Sequence, residues 1–155
     1  MLASALQTQT GIYQMIAQPD NLKPLVLIVE NDQDSREMLK TLLEIWGYRT
    51  AESEDGEESI EAAISKRPNL ILMDVSLSKM DGRTTMRRMR EIDALRGVSV
   101  VFISGHAQPE FRNFALTAGG DDFLVKPIDF NQLKTVLERF IKKNNINVNS
   151  GGITI

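Results

Sequence analysis

The sequence predicts an α/β fold in which an open sheet of five parallel strands is covered by five helices. Short, strongly apolar runs alternate along the chain with segments whose apolar residues recur at helical spacing. Most of these segments also begin or end at a capping or helix-breaking residue. Since the connecting helices must pack right-handedly back onto the sheet, this alternation indicates a doubly wound parallel sheet.

Five segments have the composition of strands. Four of them are entirely or almost entirely apolar, which is typical of strands buried on both faces of a parallel sheet. The predicted strands are 25–29, 48–52, 70–73, 98–103 and 123–125.

The first helix is predicted from its caps and its periodicity. Asp34 and Glu37 have the spacing of a capping box, and Gly47 stands where a left-handed glycine ends a helix. The apolar residues recur at i, i+3, i+4 and i+7, as on one face of a helix. They are Leu39, Leu42, Leu43 and Trp46.

The second and third helices are predicted from the same kinds of signal. Asp55 and Glu58 form a second cap pair, and Pro68 ends that helix. A third helix is predicted near 83–94, with two methionines on its inner face.

The last two helices are also bounded by cap signals. Pro109 begins the fourth helix, and Gly119 closes it. Asp129 and Gln132 cap the fifth, whose inner face carries Leu133, Val136, Leu137, Phe140 and Ile141.

The composition fits one folded domain. The chain of 155 residues is 42% hydrophobic and 25% charged, and its net charge of -3 gives no overall reason to bind nucleic acid or anionic lipid. The absence of cysteine excludes disulfides and thiolate metal sites.

No apolar run approaches the roughly 20 residues of a membrane helix. The N-terminus also lacks the basic start of a secretory signal. We therefore expect a cytoplasmic protein that does not bind membranes.

Polar side chains collect just past the ends of the predicted strands. Glu30 and Asn31 follow the first strand, Asp74 the third and Ser104 the fourth, while Lys126 ends the fifth. If the strand order is 2-1-3-4-5, the first and third strands are neighbours at the switch point, where sites in such sheets lie. Their like charges would then meet, and Mg²⁺ is the natural hard cation to relieve the repulsion.

This set of groups suits phosphoryl transfer to a carboxylate. Asp74 would be the nucleophile and would form an acyl phosphate. Lys126 and the metal would neutralise the phosphoryl oxygens, and Ser104 would donate a hydrogen bond to one of them.

Four segments resemble the response regulator receiver domains of two-component signalling. They are LVLIVENDQDSREML at 25–39, NLILMDVSLSKMDG at 69–82, VVFISGHA at 100–107 and AGGDDFLVKPID at 118–129. Each motif alone is weak or moderate, but the four together, in this order and spacing, are highly specific. The resemblance spans about 25–143.

The resemblance implies a flavodoxin-like fold in which Asp74 accepts a phosphoryl group from a phosphohistidine. The donor would be a sensor histidine kinase or a histidine phosphotransfer protein. The implied metal ligands are Glu30, Asn31, Asp74 and the backbone carbonyl of Ser76. The resemblance also implies that Ser104 and Phe123 are switch residues, that Lys126 is the site lysine, and that Lys126–Pro127 is a cis peptide.

Two positions depart from the family pattern. Asn31 replaces the second acid of the acidic pair, so Mg²⁺ should bind more weakly unless Asp32 substitutes by a small shift. Ser78 replaces a proline in the loop after Asp74, which we expect to change loop stiffness and leave the chemistry unaltered.

The chain divides into three predicted parts. An N-terminal extension covers 1–24, the receiver domain 25–143, and a C-terminal tail 144–155. Because the tail is too short for an output domain, we expect a stand-alone receiver that is not an enzyme in its output. Its phosphorylation would control binding to a downstream protein whose identity the sequence does not give.

Two alternatives stay open from the sequence. The missing acid at Asn31 is compatible with a pseudo-receiver that acts as an interaction module without phosphate. A phosphatase of the haloacid dehalogenase type also uses an aspartyl phosphate, but Asp32 and Asp34 begin two residues late for its Asp-x-Asp motif.

The remaining charged residues have simpler interpretations. His106, the only histidine, is given no catalytic role. The acids around the second helix and the arginines of the third are interpreted as solvated faces. For the arginines, a docking surface for an acidic partner is the alternative. These arginines are Arg83, Arg87, Arg88 and Arg90.

Overall fold

The computed structural model describes residues 19–77, 80–105 and 109–150. These residues form one sheet of five parallel strands in the order β2-β1-β3-β4-β5. The predicted order is confirmed, and each predicted strand lies within one residue of the observed one. The strands are β1 (Leu25–Val29), β2 (Arg49–Ser53), β3 (Leu70–Asp74), β4 (Ser99–Ser104) and β5 (Asp122–Val125).

Five α-helices accompany the strands, in the predicted alternation. They are α1 (Gln33–Ile45), α2 (Gly56–Lys66), α3 (Gly82–Glu91), α4 (Pro109–Thr117) and α5 (Phe130–Ser150). Short 3-10 turns lie at Asp20–Leu22 and Asp93–Leu95. None of the helices in the described part of the chain has the length and apolarity that a membrane span requires.

The helices cover the sheet on both faces, and each face has its own apolar core. Alternate residues of β1 show the division, because Val26 and Ile28 pack in one cluster while Leu27 and Val29 pack in the other. The first cluster includes side chains of α1 and α5, and the second includes side chains of α2, α3 and α4. The site at the sheet edge therefore rests on strands held from both sides.

The register of the two central strands brings their carboxyl ends level. Val29, the last residue of β1, pairs with Met73 in β3, and the chain after each of them enters the same edge of the sheet. Consequently Glu30 and Asp74, the next residue in each case, are neighbours. The switch point of strand order, between β1 and β3, lies where the sequence places the acids.

The helix caps agree with the sequence in two places and differ in one. Asp55 accepts from the Glu58 N–H at 2.9 Å, and Asp129 from the Gln132 N–H at 3.0 Å, as predicted. For α1 the prediction was wrong, because the cap is Asp32, whose carboxylate accepts from the Ser35 N–H at 2.9 Å. The helix begins as soon as the chain leaves the sheet, so Asp34 already lies in its first turn.

Some helix ends also differ from the predicted bounds. Helix α3 stops at Glu91 because Ile92 adopts an extended conformation, and a 3-10 turn replaces the rest of the predicted 83–94 segment. Gly47 and Gly119 have positive φ angles of 91° and 105°, as expected of glycines that follow a helix. Helix α5 continues to Ser150, so the predicted boundary at 143 lies inside it. Residues 1–18 of the predicted extension lie outside the described residues.

Candidate functional site

Three charged side chains from distant parts of the chain meet at the carboxyl edge of the sheet. The Lys126 Nζ lies 2.8 Å from Asp74 Oδ2 and 3.1 Å from Glu30 Oε2. Glu30 and Asp74 are buried, with 2% and 7% of their surfaces exposed. The structure thus brings together the acid, the candidate nucleophile and the ammonium group that the sequence places at three strand ends.

Backbone contacts fix both carboxylates. Asp74 is the last residue of β3, and its Oδ1 accepts from the Ser76 N–H at 2.7 Å. The Glu30 N–H donates to the carbonyl of Ser53 in β2 at 3.1 Å, and Glu30 Oε1 accepts from the Asp32 N–H at 3.3 Å. These contacts orient the carboxyl groups before any ligand arrives.

The pKa values of the two carboxyl groups shift in opposite directions. Burial raises the pKa of Glu30 to about 7, the hydrogen bond and charge of Asp74 act in the same direction, and Lys126 opposes them. Burial also disfavours ionisation of Asp74, but hydrogen bonds from Glu30, Lys126 and the Ser76 N–H outweigh it and lower its pKa. These opposite shifts favour the proton of the carboxyl pair on Glu30 and the ionised form of Asp74.

The pKa of Lys126 is shifted by the same three-residue cluster. Burial lowers the pKa of its ammonium group, but the hydrogen bonds and charges of Asp74 and Glu30 outweigh burial and raise it. Its position is set by the end of β5, where the Lys126 N–H donates to the Ser104 carbonyl at 2.7 Å. Lys126–Pro127 is a cis peptide, which confirms that prediction.

The two predicted switch residues lie close to the site but are buried. Ser104 ends β4 and is fully buried, in register with Val125 of the neighbouring strand. Phe123 pairs with Phe102 across the same two strands and is 7% exposed, within the apolar cluster beneath α3 and α4. In this conformation the aromatic ring is part of the core.

The donor set around Asp74 suits a hard cation. The candidate ligand atoms among the described residues are the oxygens of the carboxylates, of the Asn31 amide and of the Ser76 carbonyl, and Mg²⁺ prefers oxygen ligands. Asn31 and Ser76 are exposed beside the buried carboxylates. Among the described residues, however, no group of three or more acidic, histidine or cysteine side chains is arranged to hold a metal. The residues therefore fit Mg²⁺ with fewer charged ligands than a three-carboxylate site.

Asp32 is a poor replacement for the missing acid. Its Oδ2 caps α1 through Ser35, and this hydrogen bond is the main reason that its pKa is lowered. Turning the carboxylate toward the site would leave the first turn of α1 uncapped. In the phosphatase alternative Asp32 and Asp34 are the paired acids, but here Asp32 caps α1 and Asp34 is exposed in its first turn. Ser78 and His106 lie outside the described residues.

Two arginines have contacts that the sequence analysis did not predict. Arg36 donates to the Glu30 carbonyl at 2.9 Å and pairs with Glu52 and Glu54 near the end of β2. These two acids, interpreted from the sequence as part of a solvated face, therefore form ion pairs. Arg90 likewise is not a solvated arginine, because its guanidinium donates to the carbonyls of Leu95, Arg96, Val98 and Gly119.

Gly82 permits a close approach between α3 and the Asp74 segment. A Cβ atom at this position would lie 2.9 Å from the Asp74 carbonyl oxygen and 3.1 Å from Val75 Cα. The Gly82 N–H also donates to the Val75 carbonyl at 3.1 Å. The quoted motif at 69–82 contains this glycine, but only the structure gives its steric reason.

An open, doubly wound sheet with an ionised aspartate, a second acid and a lysine at its carboxyl edge defines a receiver-type signalling domain. The family model described as the response regulator receiver domain matches residues 26–138. The chain belongs to this family, whose members act in two-component phosphorelay signalling. The predicted family and its flavodoxin-like fold are confirmed.

Individual relatives agree with this assignment. The transcriptional regulatory protein PrrA of Mycobacterium tuberculosis is 30% identical over 85% of this chain and 56% of its own length. The chain thus spans about half of that regulator. A signal receiver domain from Vibrio parahaemolyticus has a TM-score of 0.78 at 26% identity, covering 85% of this chain and 100% of that one.

A further solved structure bears on the metal. The receiver domain of the sensor histidine kinase PA1611 from Pseudomonas aeruginosa is 29% identical, with a TM-score of 0.73. The match covers 77% of this chain and 98% of that one. That structure has a magnesium ion coordinated in the active-site cleft.

Proposed function

We propose that this receiver accepts a phosphoryl group on Asp74 from a phosphohistidine of a histidine kinase or a histidine phosphotransfer protein. The observation that carries the proposal is the 2.8 Å contact between Lys126 Nζ and Asp74 Oδ2 in a crevice where Asp74 is ionised. An ionised carboxylate is the nucleophile, and a fixed ammonium beside it can neutralise a transferred phosphoryl group.

The transfer forms one bond and breaks one. A carboxylate oxygen of Asp74 attacks phosphorus, the P–N bond to the donor histidine breaks, and its electron pair stays on the imidazole nitrogen. Lys126 then pairs with phosphoryl oxygens as well as with Glu30. Mg²⁺, when bound by Asp74, Asn31 and the Ser76 carbonyl beside Glu30, supplies further positive charge for those oxygens.

The output is a change in protein binding. Ser104 would donate a hydrogen bond to the phosphoryl group, which draws the end of β4 toward Asp74. Because Phe123 lies on the adjacent strand within the same core as α4, this movement would shift an existing equilibrium of the α4–β5 surface. A downstream protein would bind one of the two states.

The experiment is chemical labelling without a partner protein. The chain is incubated with phosphoramidate and Mg²⁺, and intact mass spectrometry follows the addition of one phosphoryl group. We expect labelling of the unmodified chain and of Asp93→Ala, since Asp93 is an exposed aspartate that pairs with Arg96. Asp74→Ala should give no adduct while its circular dichroism spectrum is unchanged. An adduct on Asp74→Ala would contradict the assignment of the acceptor.

A second candidate function is a receiver that binds partners without phosphate. Asn31 in place of the second acid favours it, because it leaves the site with fewer charged metal ligands. This alternative predicts no adduct on the unmodified chain over the full range of Mg²⁺ concentrations at which a three-carboxylate receiver is labelled. Labelling that depends on Asp74 would exclude it.

A further inference from the structure

Both backbone polar groups of Glu30 are held by hydrogen bonds. Its N–H donates to the carbonyl of Ser53, the last residue of β2, at 3.1 Å. Its carbonyl oxygen accepts from the Arg36 guanidinium at 2.9 Å. Because β2 ends at Ser53, an arginine of α1 takes the place of a strand partner where the chain leaves the sheet.

Arg36 is itself fixed by two acids at the end of β2. Its guanidinium lies 3.5 Å from a carboxylate oxygen of Glu52 and 3.3 Å from one of Glu54. The Arg36 side chain is only 11% exposed, against 34% and 68% for the two acids. A guanidinium has several donors in a rigid plane, so one side chain can contact both carboxylates and the carbonyl. Arg36 therefore connects the end of β2 to the loop that follows β1.

We propose that Arg36 is a positioning residue for Mg²⁺ at the phosphoryl-transfer site, and that it acts by fixing the peptide group between Glu30 and Asn31. This inference rests on the proposed function, in which Asn31 is a ligand of the metal. A peptide group is planar, so the hydrogen bond that fixes the Glu30 carbonyl limits the directions in which the Asn31 side chain can project. Because the Asn31 amide brings no charge to the metal, its contribution depends on the placement of its oxygen.

The charges around Arg36 balance. Glu52 also lies 3.6 Å from the ammonium group of Lys40, one turn further along α1. Arg36, Lys40, Glu52 and Glu54 thus form a cluster of two positive and two negative formal charges. Arg36 can therefore donate to the loop without adding a net positive charge that would oppose Mg²⁺.

Two other roles for Arg36 predict different results. If the arginine acted only through its charge, its removal would strengthen Mg²⁺ binding, because like charges repel. If it only stabilised the packing of α1 beside β2, its removal would lower the free energy of unfolding and leave the affinity for Mg²⁺ unchanged. A positioning role predicts weaker binding, since loss of an outer contact that orients a metal ligand typically costs about 10- to 100-fold in affinity.

The test is a titration of the full chain with Mg²⁺, without a phosphoryl donor. NMR shifts of the backbone amides of residues 30–32 and 74–76 report binding. Arg36→Met should weaken Mg²⁺ binding at least about tenfold. In the metal-free chain, the same substitution should move the carbonyl carbon resonance of Glu30, because the carbonyl loses its hydrogen bond. Arg36→Lys should have an intermediate affinity, because one ammonium group cannot span the carbonyl and both carboxylates.

Lys40→Met is the matched control. Lys40 is on the same helix, has the same charge and pairs with the same Glu52, and its side chain is 42% exposed. Its contact within the described residues is this carboxylate and not the loop after β1. The affinity of Lys40→Met for Mg²⁺ should stay within about twofold of that of the unmodified chain, because solvent and salt screen an exposed charge.

Four results would overturn the inference. They are no Mg²⁺ binding by the unmodified chain, unchanged or tighter binding in folded Arg36→Met, an equal loss in Lys40→Met, and no recovery in Arg36→Lys relative to Arg36→Met. Circular dichroism shows whether each variant is folded. If Arg36→Met is unfolded, Arg36→Lys decides, and an affinity equal to that of the unmodified chain overturns the inference.

The titration is independent of phosphoryl transfer. It contains no phosphoryl donor, so absence of an adduct on Asp74 would contradict the proposed function and leave the measured affinities for Mg²⁺ unaffected. Normal labelling of Asp74 together with unchanged Mg²⁺ binding in Arg36→Met would overturn this inference alone.

Discussion

Lys126 Nζ and Asp74 Oδ2 are 2.8 Å apart although 52 residues separate them in the sequence. The contact exists because β3 and β5 are parallel members of one sheet and end at the same edge. The same ammonium reaches Glu30 Oε2 at 3.1 Å, so one cation serves both buried carboxylates. This shared cation is the basis of the first prediction.

Replacing Lys126 by methionine should slow phosphoryl labelling strongly. The variant keeps the side-chain bulk but loses the positive charge beside Asp74, and removal of one such electrostatic donor typically slows a reaction roughly 100-fold. The measurement is the rate of adduct formation with phosphoramidate and Mg²⁺, followed by intact mass. Lys66→Met, at an exposed position at the end of α2, should retain the unmodified rate. Equal rates in the two variants would remove Lys126 from the mechanism.

Topology explains how much of this site the sequence could predict. Parallel strands joined by helices must end at one edge, so Glu30, Asp74 and Lys126 could be placed together from their positions after apolar runs. The degree of burial that raises the pKa of Glu30 depends on surrounding packing, which no local pattern records. Arg90 was missed for a related reason, because a long side chain that bonds to backbone carbonyls leaves no residue-type signature.

The cap of α1 shows a different limit of the sequence argument. Asp32 and Asp34 both stand near the start of the helix, and the Asp34–Glu37 spacing fits a capping box. The choice between them depends on how soon the chain turns after β1, and the structure places that turn directly after Asn31. Glu37 instead accepts from the Gln33 side chain at 2.9 Å.

Protein stability should fall as pH rises from about 4.5 to 7, because of Glu30. Its pKa is about 7 in the folded chain against an ordinary value of 4.5, so the folded state holds a proton in this window that the unfolded state has released. Stability rises with pH only where the unfolded state binds more protons, and here it binds fewer. The lowered pKa of Asp74 acts in the opposite direction, but only below its ordinary value of 3.8.

Urea unfolding in metal-free buffer at pH about 4.5 and at pH about 7 measures this change in stability. The free energy of unfolding should decrease by roughly 2 kcal/mol between them, allowing for partial screening of the shift. Glu30→Gln should remove this decrease, while Glu61→Gln, at an exposed position on α2, should retain it. The same slope in Glu30→Gln as in the unmodified chain would show that another group titrates.

Arg90 should contribute substantially to stability. Its guanidinium donates to four carbonyls from the loops before β4 and β5, and it contacts Asp121, which itself accepts from the Val100 N–H at 2.8 Å. Arg90→Met leaves these partly buried acceptors without their donor, at a cost of about 2 to 3 kcal/mol. Arg90→Lys should recover only part of this, because an ammonium group cannot span the same carbonyls.

Chemical denaturation measures these differences as shifts of the midpoint. Arg96→Met is the matched control, since Arg96 is exposed and its ion pair with Asp93 at 3.0 Å is on the surface. The free energy of unfolding of this control should differ from that of the unmodified chain by less than about 0.5 kcal/mol. If Arg90→Met were no more destabilised than Arg96→Met, the loop contacts of Arg90 would be energetically neutral.

Gly82→Ala should destabilise the fold and disturb the segment after Asp74. The new methyl group would lie 2.9 Å from the Asp74 carbonyl oxygen, which is backbone and cannot move without displacing β3 or α3. Overpacking of this kind costs about 1 to 3 kcal/mol. Gly97→Ala is the control, because a Cβ there would meet nothing within 4 Å. In thermal unfolding, Gly82→Ala should melt at a lower temperature than Gly97→Ala. Equal melting temperatures would contradict the steric argument.

Asn31→Asp should increase the affinity for Mg²⁺. Asn31 is exposed beside the buried Glu30, and a carboxylate at this position adds a charged oxygen ligand that the amide lacks. At the effective dielectric constant near a protein surface, one extra negative charge close to a divalent ion should raise the affinity for Mg²⁺ roughly tenfold or more. The Mg²⁺ concentration that gives half-maximal labelling of Asp74 should therefore fall, while Asn31→Ala should raise it. Asn69→Asp serves as the control, since Asn69 lies at the opposite edge of the sheet, where its side chain accepts from the Leu25 N–H at 2.8 Å. An unchanged Mg²⁺ dependence in Asn31→Asp would place the metal away from the loop that follows β1.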